Sequence, residues 1–129
     1  MAETGPARIL VVDDASLVRR YYREVLEAGG FAVDEAINGI EALERLLSGP
    51  YDLLVVDVNM PKMDGLTFLR ALRAREAPLR GLPVLVTSTE AGAADRAAAR
   101  AAGANLYLVK PIAAEVLRAH AAALTGRPS

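Results

Sequence analysis

The sequence predicts an α/β fold in which helices cover both faces of a parallel β-sheet. Short apolar runs alternate with longer stretches of helical periodicity, and Gly, Pro, Asn or Asp marks each change. Most of the short runs are continuous in Val, Ile and Leu, which is typical of parallel strands buried on both faces. With 129 residues, the chain has the usual size of one domain. We expect a single domain over residues 1–129 with a core of about 8–125.

Five runs are predicted as strands. They cover residues 9–12, 31–36, 53–56, 83–86 and 106–109. The second run is more polar than the others, because Phe31, Val33 and Glu35 share one face while the other face carries Asp34. This mixture favours an edge strand.

Three helices are predicted from apolar side chains at helical spacing. The first covers residues 16–28 and stops at Gly29-Gly30, the second precedes Gly49-Pro50, and the third precedes Pro78. The stripes expected to face the sheet are Val18, Tyr21, Tyr22 and Val25, then Ile40, Leu43 and Leu47, then Leu66, Leu69 and Leu72.

Two more helices follow. Residues 93–102 are so rich in alanine that they favour a helix with a shallow buried face, with Gly103 as its cap. The last helix spans about residues 113–123, with Val116, Leu117 and Leu124 inward. The short polar tail after it indicates a stand-alone unit.

Composition excludes several classes of function. Fifteen Lys and Arg against sixteen Asp and Glu give a net charge of −1, without the basic excess that nucleic-acid binding requires. The chain has no Cys and one His, which excludes disulfides and Cys- or His-rich metal sites. It has no apolar run long enough for a membrane span. We expect a cytoplasmic protein with neither nucleic acid nor membrane as partner.

Polar residues follow the predicted strands. Asp13-Asp14 follow the first, Asp57 the third, Thr87 the fourth and Lys110 the fifth. Each residue alone is typical of a cap, a turn or a surface charge, but ligands of parallel α/β sheets bind at these carboxyl ends. Converging carboxylates without His or Cys select Mg²⁺ or a similar cation. With Lys110 and Thr87 neutralising phosphoryl oxygens, Asp57 would be the nucleophile.

The segment Asp57-Val58-Asn59-Met60-Pro61-Lys62-Met63-Asp64-Gly65, with Asp13-Asp14 before it and Thr87 and Tyr107-Leu108-Val109-Lys110-Pro111 after it, resembles the receiver domains of two-component response regulators. The resemblance covers nearly the whole chain and is greatest to single-domain, chemotaxis-type receivers. It implies a flavodoxin-like (βα)5 doubly wound sheet with strand order 2-1-3-4-5.

The resemblance also implies a function for the acidic residues. Asp57 accepts a phosphoryl group from a phosphohistidine of a sensor histidine kinase or a histidine phosphotransfer protein. Mg²⁺ is bound by the carboxylates of Asp14 and Asp57, by the backbone carbonyl of Asn59, and through a water by Asp13. The protein is then a phospho-acceptor of signal transduction that assists its own phosphorylation and dephosphorylation, not an enzyme.

Three further residues take roles from the resemblance. Lys110 bonds the phosphoryl oxygens, Thr87 moves toward them, and Tyr107 turns inward into the space left behind. The face made by the fourth and fifth helices and the fifth strand then changes for an unidentified protein partner. The chain is expected to be a monomer or a weak, phosphorylation-dependent dimer, with a cis Lys110-Pro111 bond.

Departures from the family pattern are small. Ser88 stands where alanine is common and Ile112 where phenylalanine is frequent, while Asn59 and Thr89 occupy positions associated with the dephosphorylation rate. Met60, Pro61, Met63 and Gly65 are interpreted as a rigid turn. His120 is interpreted as a histidine flanking the core.

Three alternatives stay open. The first is a pseudo-receiver that binds its partner without phosphorylation. The second is a Mg²⁺-dependent phosphatase, although Asn59 stands where such enzymes usually carry a second Asp. The third is a flavin-binding protein, although Asp13-Asp14 would repel phosphate where such a protein needs a Ser/Thr/Gly-rich loop.

Overall fold

The sheet is parallel and five-stranded, with the order β2-β1-β3-β4-β5, as expected. A computed structural model describes residues 5–60 and 64–126. The strands are β1 (Arg8–Val12), β2 (Ala32–Ala36), β3 (Leu53–Asp57), β4 (Val84–Ser88) and β5 (Leu106–Val109). Asp57 is therefore the last residue of β3, and Thr87 is the second-to-last residue of β4. These strands end one and two residues later than predicted.

Five α-helices connect and cover the strands. They are α1 (Ser16–Ala28), α2 (Gly39–Ser48), α3 (Gly65–Arg73), α4 (Ala93–Ala102) and α5 (Ala114–Thr125), with a short 3₁₀ helix at Leu79–Gly81. Each predicted helix is present. None of the helices in the described ranges is long and apolar enough to cross a membrane.

The sheet separates two apolar layers. The layer under α1 and α5 contains Ile9, Val11, Leu53, Val55 and Leu85. The opposite layer, under α2, α3 and α4, contains the alternate strand residues Leu10, Val12, Leu54, Val56, Val84 and Val86. Because both faces are covered, the central strands are buried along almost their whole length, as their continuous apolar sequence predicted.

β2 is an edge strand, which confirms the prediction from its polar mixture. The two acidic residues point to opposite faces and each is paired. Glu35 accepts from Arg19 at 2.9 Å and from Arg23 at 2.6 Å, both on α1. Asp34 accepts from Arg8 at 2.6 Å on the other face. Burial raises the pKa of Glu35, but the two arginines more than offset this and hold it below its usual value.

The stripe predicted for α2 is wrong in part. Ile40 and Leu47 are 49% and 63% exposed, while Ala42 and Leu46 are buried and Leu43 is partly buried. The prediction assigned the larger aliphatic residues to the core. The helix instead packs through Ala42, whose small side chain allows a close approach to the sheet, and this rotates the two larger residues toward solvent.

Two other inward assignments are also wrong. Tyr21 is 40% exposed, because its hydroxyl donates to the carbonyl oxygen of Ile112 at 2.8 Å and its ring lies at the surface. Val116 is 39% exposed, whereas Leu117 is fully buried. The inward stripe of α3 is confirmed, with Leu69 and Leu72 fully buried.

α4 has the shallow buried face that its alanine content predicted. Its buried residues are Ala99 and Ala102, and Gly103 caps it with a φ of 115°, in the left-handed region that favours glycine. Arg73 of α3 holds this end of the helix, because its guanidinium donates to the carbonyl oxygen of Gly103 at 2.8 and 3.0 Å and to that of Leu82 at 2.7 Å. Sequence periodicity gave no sign of this contact.

Candidate functional site

Three predicted site residues form a buried charged cluster at the carboxyl edge of the sheet. Asp13 follows β1, Asp57 ends β3, and Lys110 follows β5. The Lys110 Nζ lies 2.9 Å from Asp13 Oδ2 and 3.2 Å from Asp57 Oδ1. Asp13 is 1% exposed and Asp57 is 5% exposed. One ammonium group therefore bridges two carboxylates that strands β1 and β3 bring side by side.

Asp14 completes an acidic cluster suited to a cation. One oxygen from each of Asp13, Asp14 and Asp57 lies within 4.8 Å of the others, and Asp14 is exposed. Three carboxylates against the single Lys110 leave an excess of two negative charges, and all the donors are hard oxygen atoms. This set fits a divalent cation such as Mg²⁺, with the exposed Asp14 on the solvent side.

The electrostatic environment reflects the crowding of charge. Burial raises the pKa of Asp57, and the charge of Asp13 raises it further, while Lys110 and the backbone amide of Asn59 act in the opposite direction. Burial lowers the pKa of Lys110, but its hydrogen bond to Asp13 and the charges of both carboxylates more than offset this, so the value is raised. Lys110 is thus held in its charged form, and Asp57 carries a charge at an energetic cost.

Thr87 lies beside Asp57 and is completely buried. The two residues are direct partners in the register of β3 and β4. The Thr87 hydroxyl is 3.5 Å from the carbonyl oxygen of Val56, at the long limit of a hydrogen bond. Asn59 is exposed just beyond β3. The metal contact expected of its carbonyl stays a prediction.

Tyr107 lies on the other side of the sheet from the acidic cluster. It packs against the layer under α3 and α4. Its hydroxyl donates to the carbonyl oxygen of Glu90 at 2.7 Å, and the Arg96 guanidinium lies over its ring at 5.1 Å from the centroid. Tyr107 therefore contacts both the loop before α4 and α4 itself.

Several smaller expectations can be compared with the structure. The Lys110-Pro111 bond is cis. His120 is half-buried, as a residue flanking the core should be. Ser88 and Ile112 are buried. Of the turn residues, Met60 and Gly65 are buried, and Pro61 and Met63 lie outside the described residues.

Sequence reasoning missed two residues near the site. Tyr22 was assigned to an apolar stripe, although its buried side chain lines the same cavity as Lys110. Arg96 was not singled out at all, because contact with Tyr107 depends on how α4 lies against β5. The only available signal for Arg96 was a charged residue in an alanine-rich helix.

Gly65 fixes the chain next to Asp57. Its amide donates to the carbonyl oxygen of Val58 at 2.9 Å. A Cβ atom here would overlap the carbonyl oxygen of Asp57 and lie 2.9 Å from Cα of Val58, and both are backbone atoms that side-chain motion cannot displace. The close approach of α3 to the end of β3 therefore requires glycine.

We expect Gly65→Ala to lower the free energy of unfolding by about 1–3 kcal/mol, the usual cost of overpacking. Chemical denaturation measures this. Gly81→Ala is the matched control, because a Cβ there meets nothing within 4 Å and the effect should be within about 0.5 kcal/mol. Equal stability of the two variants would contradict the backbone overlap.

The fold and the site together define a class, the doubly wound α/β proteins that carry an acidic cluster and a lysine at the carboxyl edge of the sheet. Comparison with known proteins makes the class specific. The sequence matches the response regulator receiver domain over residues 9–122. The chain belongs to the response regulator receiver family.

Individual relatives agree with this assignment. The chain is 46% identical over 112 residues to the chemotaxis protein CheY of Pseudomonas aeruginosa, covering 86% of this chain and 90% of CheY. It is 42% identical over 124 residues to the response regulator MprA of a Mycobacterium species, covering 96% of this chain and about half, 53%, of MprA. The structure of CheY4 from Vibrio cholerae superimposes with a TM-score of 0.88 at 32% identity, covering 93% of this chain and 99% of CheY4.

Proposed function

We propose that this protein is a stand-alone phospho-acceptor that receives a phosphoryl group on Asp57 from a phosphohistidine of a sensor histidine kinase or a histidine phosphotransfer protein. The observation that carries the proposal is the Lys110 ammonium bridging the buried carboxylates of Asp13 and Asp57.

The donor set fits a bound Mg²⁺. Asp14 and Asp57 would hold it by carboxylate oxygens, Asn59 by its backbone carbonyl, and Asp13 through a water. When bound, the ion offsets the negative charge that carboxylates and phosphoryl oxygens bring together, which is the main requirement of phosphoryl transfer. The residues of the chain supply positioning and the remaining charge.

In the transfer step, an Asp57 carboxylate oxygen attacks phosphorus. The new O–P bond forms as the P–N bond of the phosphohistidine breaks, and the electron pair of that bond leaves with the imidazole. Lys110 Nζ lies 3.2 Å from the Asp57 carboxylate. Its ammonium group can therefore donate a hydrogen bond to a phosphoryl oxygen once the phosphoryl group is bound to Asp57. The product is an acyl phosphate, which water later hydrolyses.

The phosphoryl group then changes the face formed by α4, β5 and α5. Thr87 moves to donate its hydroxyl to a phosphoryl oxygen, and Tyr107 turns inward. Each bond to the charged group, from Thr87 and from Lys110, contributes roughly 1.5–3 kcal/mol. A shift from 1:99 to 99:1 needs about 5.5 kcal/mol. The switch is therefore graded, and binding of a protein partner completes it.

The test uses acetyl phosphate or phosphoramidate as small donors, with Mg²⁺ or with a chelator, and mass spectrometry as the readout. We expect one phosphoryl group per chain, dependent on Mg²⁺ and mapped to Asp57 by borohydride reduction of the acyl phosphate. No added mass under any condition would support a pseudo-receiver instead. Catalytic turnover of a phosphomonoester would support a phosphatase.

A further inference from the structure

Arg19 connects the edge of the sheet to the acidic cluster, and the proposed mechanism gives it no role. It lies near the start of α1, and 14% of its side chain is exposed. Its guanidinium donates through Nη1 to the carbonyl oxygen of Asp13 at 2.7 Å and through Nε to Glu35 Oε1 at 2.9 Å. One side chain of α1 therefore bonds both the segment that follows β1 and the neighbouring strand β2.

Three consecutive peptide groups carry Asp13 and Asp14, and each is held by a different hydrogen bond. The amide of Asp13 donates to the carbonyl oxygen of Ala36 in β2 at 3.1 Å. The amide of Ala15 donates to Asp13 Oδ1 at 2.9 Å. The peptide group between these two, which joins Asp13 to Asp14, has its carbonyl oxygen bonded by Arg19. Because a peptide group is planar, a bond to its oxygen also restricts the orientation of its amide.

The orientation of that peptide group matters most for Asp14. Asp13 is buried, and its carboxylate accepts from Lys110 and from the amide of Ala15. Asp14 is exposed, and one of its oxygens lies within 4.8 Å of oxygens of Asp13 and Asp57. The direction of its side chain therefore depends on the backbone on either side. A rotation of the peptide group before Asp14 would turn this carboxylate away from the cation site.

Glu35 orients the guanidinium that makes this bond. Its Oε1 accepts from Arg19, and its Oε2 accepts at 2.6 Å from Arg23, one helical turn further along α1. The donors of a guanidinium stand in a fixed planar arrangement, so the bond from Nε to Glu35 directs Nη1 toward Asp13. A hydrogen bond from a charged donor is roughly twice as strong as one between neutral groups. Edge strand β2 thus restrains the acidic cluster through Arg19.

We propose that Arg19 is a positioning residue that holds Asp13 and Asp14 in the geometry that binds the divalent cation. This inference rests on the proposed function, because it concerns the Mg²⁺ site that phosphoryl transfer uses. Arg19 acts through the backbone of Asp13 and, being a cation itself, does not bind the metal. If Arg19 acted only as a nearby positive charge, it would weaken the binding of Mg²⁺ by repulsion. The two roles therefore predict opposite effects when Arg19 is replaced.

The test is the affinity of the unphosphorylated protein for Mg²⁺, measured by calorimetry. Arg19→Gln shortens the side chain and removes its charge, and we expect it to bind Mg²⁺ about tenfold more weakly than wild type, the lower end of the range for a group that orients a metal ligand. Arg23→Gln is the matched control, because it removes the same charge from α1 and a bond to the same Glu35, while its bonds go to Glu35 and Glu27 rather than to Asp13. It should bind Mg²⁺ as wild type does. Arg19→Lys keeps the charge but offers one nitrogen for two contacts, so it should recover part of the affinity.

A second measurement does not need the metal. The amide of Asp14 belongs to the peptide group that Arg19 bonds, so its NMR order parameter without Mg²⁺ should fall from about 0.85 toward 0.6 in Arg19→Gln and stay unchanged in Arg23→Gln. Arg19→Lys carries both measurements if Arg19→Gln does not fold. Binding of Mg²⁺ by Arg19→Gln at or above the wild-type affinity, or an Asp14 amide as rigid as in wild type, would overturn the inference. If wild type does not bind Mg²⁺, the proposed function fails, while the order parameter still decides whether Arg19 holds this segment.

Discussion

Replacing Asp57 by asparagine is expected to abolish phosphoryl transfer and, at neutral pH, to stabilise the protein. An amide oxygen does not form the acyl phosphate, so phosphorylation by acetyl phosphate should fall below detection. The same change removes a buried charge that lies beside the charge of Asp13 and whose pKa burial raises. We expect the free energy of unfolding to rise by about 0.5–2 kcal/mol, as is common when a functional site is relieved of strain.

Mass spectrometry and urea denaturation without Mg²⁺ measure the two effects. Asp95→Asn is the matched control, because it makes the same change of charge on an exposed residue of α4. It should be phosphorylated as wild type is and show little change in stability. Equal phosphorylation of Asp57→Asn and wild type would disprove the assignment of the acceptor.

The stabilisation should depend on pH in a defined direction. The pKa of Asp57 in the folded protein is raised above its ordinary value of 3.8. A raised pKa favours the folded state at low pH, and this contribution is lost as the pH rises through the folded-state value. The advantage of Asp57→Asn should therefore be full near pH 7 and disappear below about pH 3.8, where the wild-type carboxyl is protonated in both states. Denaturation curves across this range measure it.

Replacing Lys110 by alanine is expected to impair both folding and phosphoryl transfer. The change leaves the buried carboxylates of Asp13 and Asp57 without the ammonium that bridges them. Removing one partner of a buried pair destabilises by roughly 3 kcal/mol. The loss of a donor to the transferring group should slow phosphorylation by about a hundredfold, the lower range for a single group of this kind.

Single-turnover phosphorylation with acetyl phosphate and urea denaturation test this variant. Lys110→Arg separates the two effects, because it keeps the charge but replaces a compact ammonium by a planar fork that does not fit the same two contacts. It should recover most of the stability and only part of the rate. If Lys110→Ala is phosphorylated at the wild-type rate, the ammonium has no role in the transfer.

The strand order was predicted from the family resemblance alone, whereas the positions of the acidic residues at strand ends were predictable because they depend on local and repetitive signals. A run of apolar residues that ends in Asp57 defines a buried strand and its carboxyl end at once. The rotation of α2 was not predictable, because the contact of Ala42 with the sheet depends on how closely the helix approaches. Apolar periodicity predicts that a helix has an apolar face, but it does not fix which residues of that face are buried against the sheet.

The same limit applies to the candidate site. Asp13, Asp57 and Lys110 were identified because each follows an apolar strand, and the carboxyl ends of parallel strands are where such sheets bind ligands. Tyr22 was not identified as a residue near the site, because tyrosine in an amphipathic stripe is ordinarily a packing residue. Its position in the same cavity as Lys110 depends on how α1 packs beside the segment before α5, which no short sequence pattern encodes.

The ion pairs on both faces of β2 also affect how the protein behaves at high concentration. An edge strand exposes unpaired amide and carbonyl groups, to which a strand of another molecule can add. Asp34, Glu35 and the arginines attached to them surround this edge with charge that an incoming apolar strand would have to desolvate. This border of the sheet is therefore protected against growth into intermolecular aggregates, and lowering the pH far enough to neutralise the two acids would remove that protection.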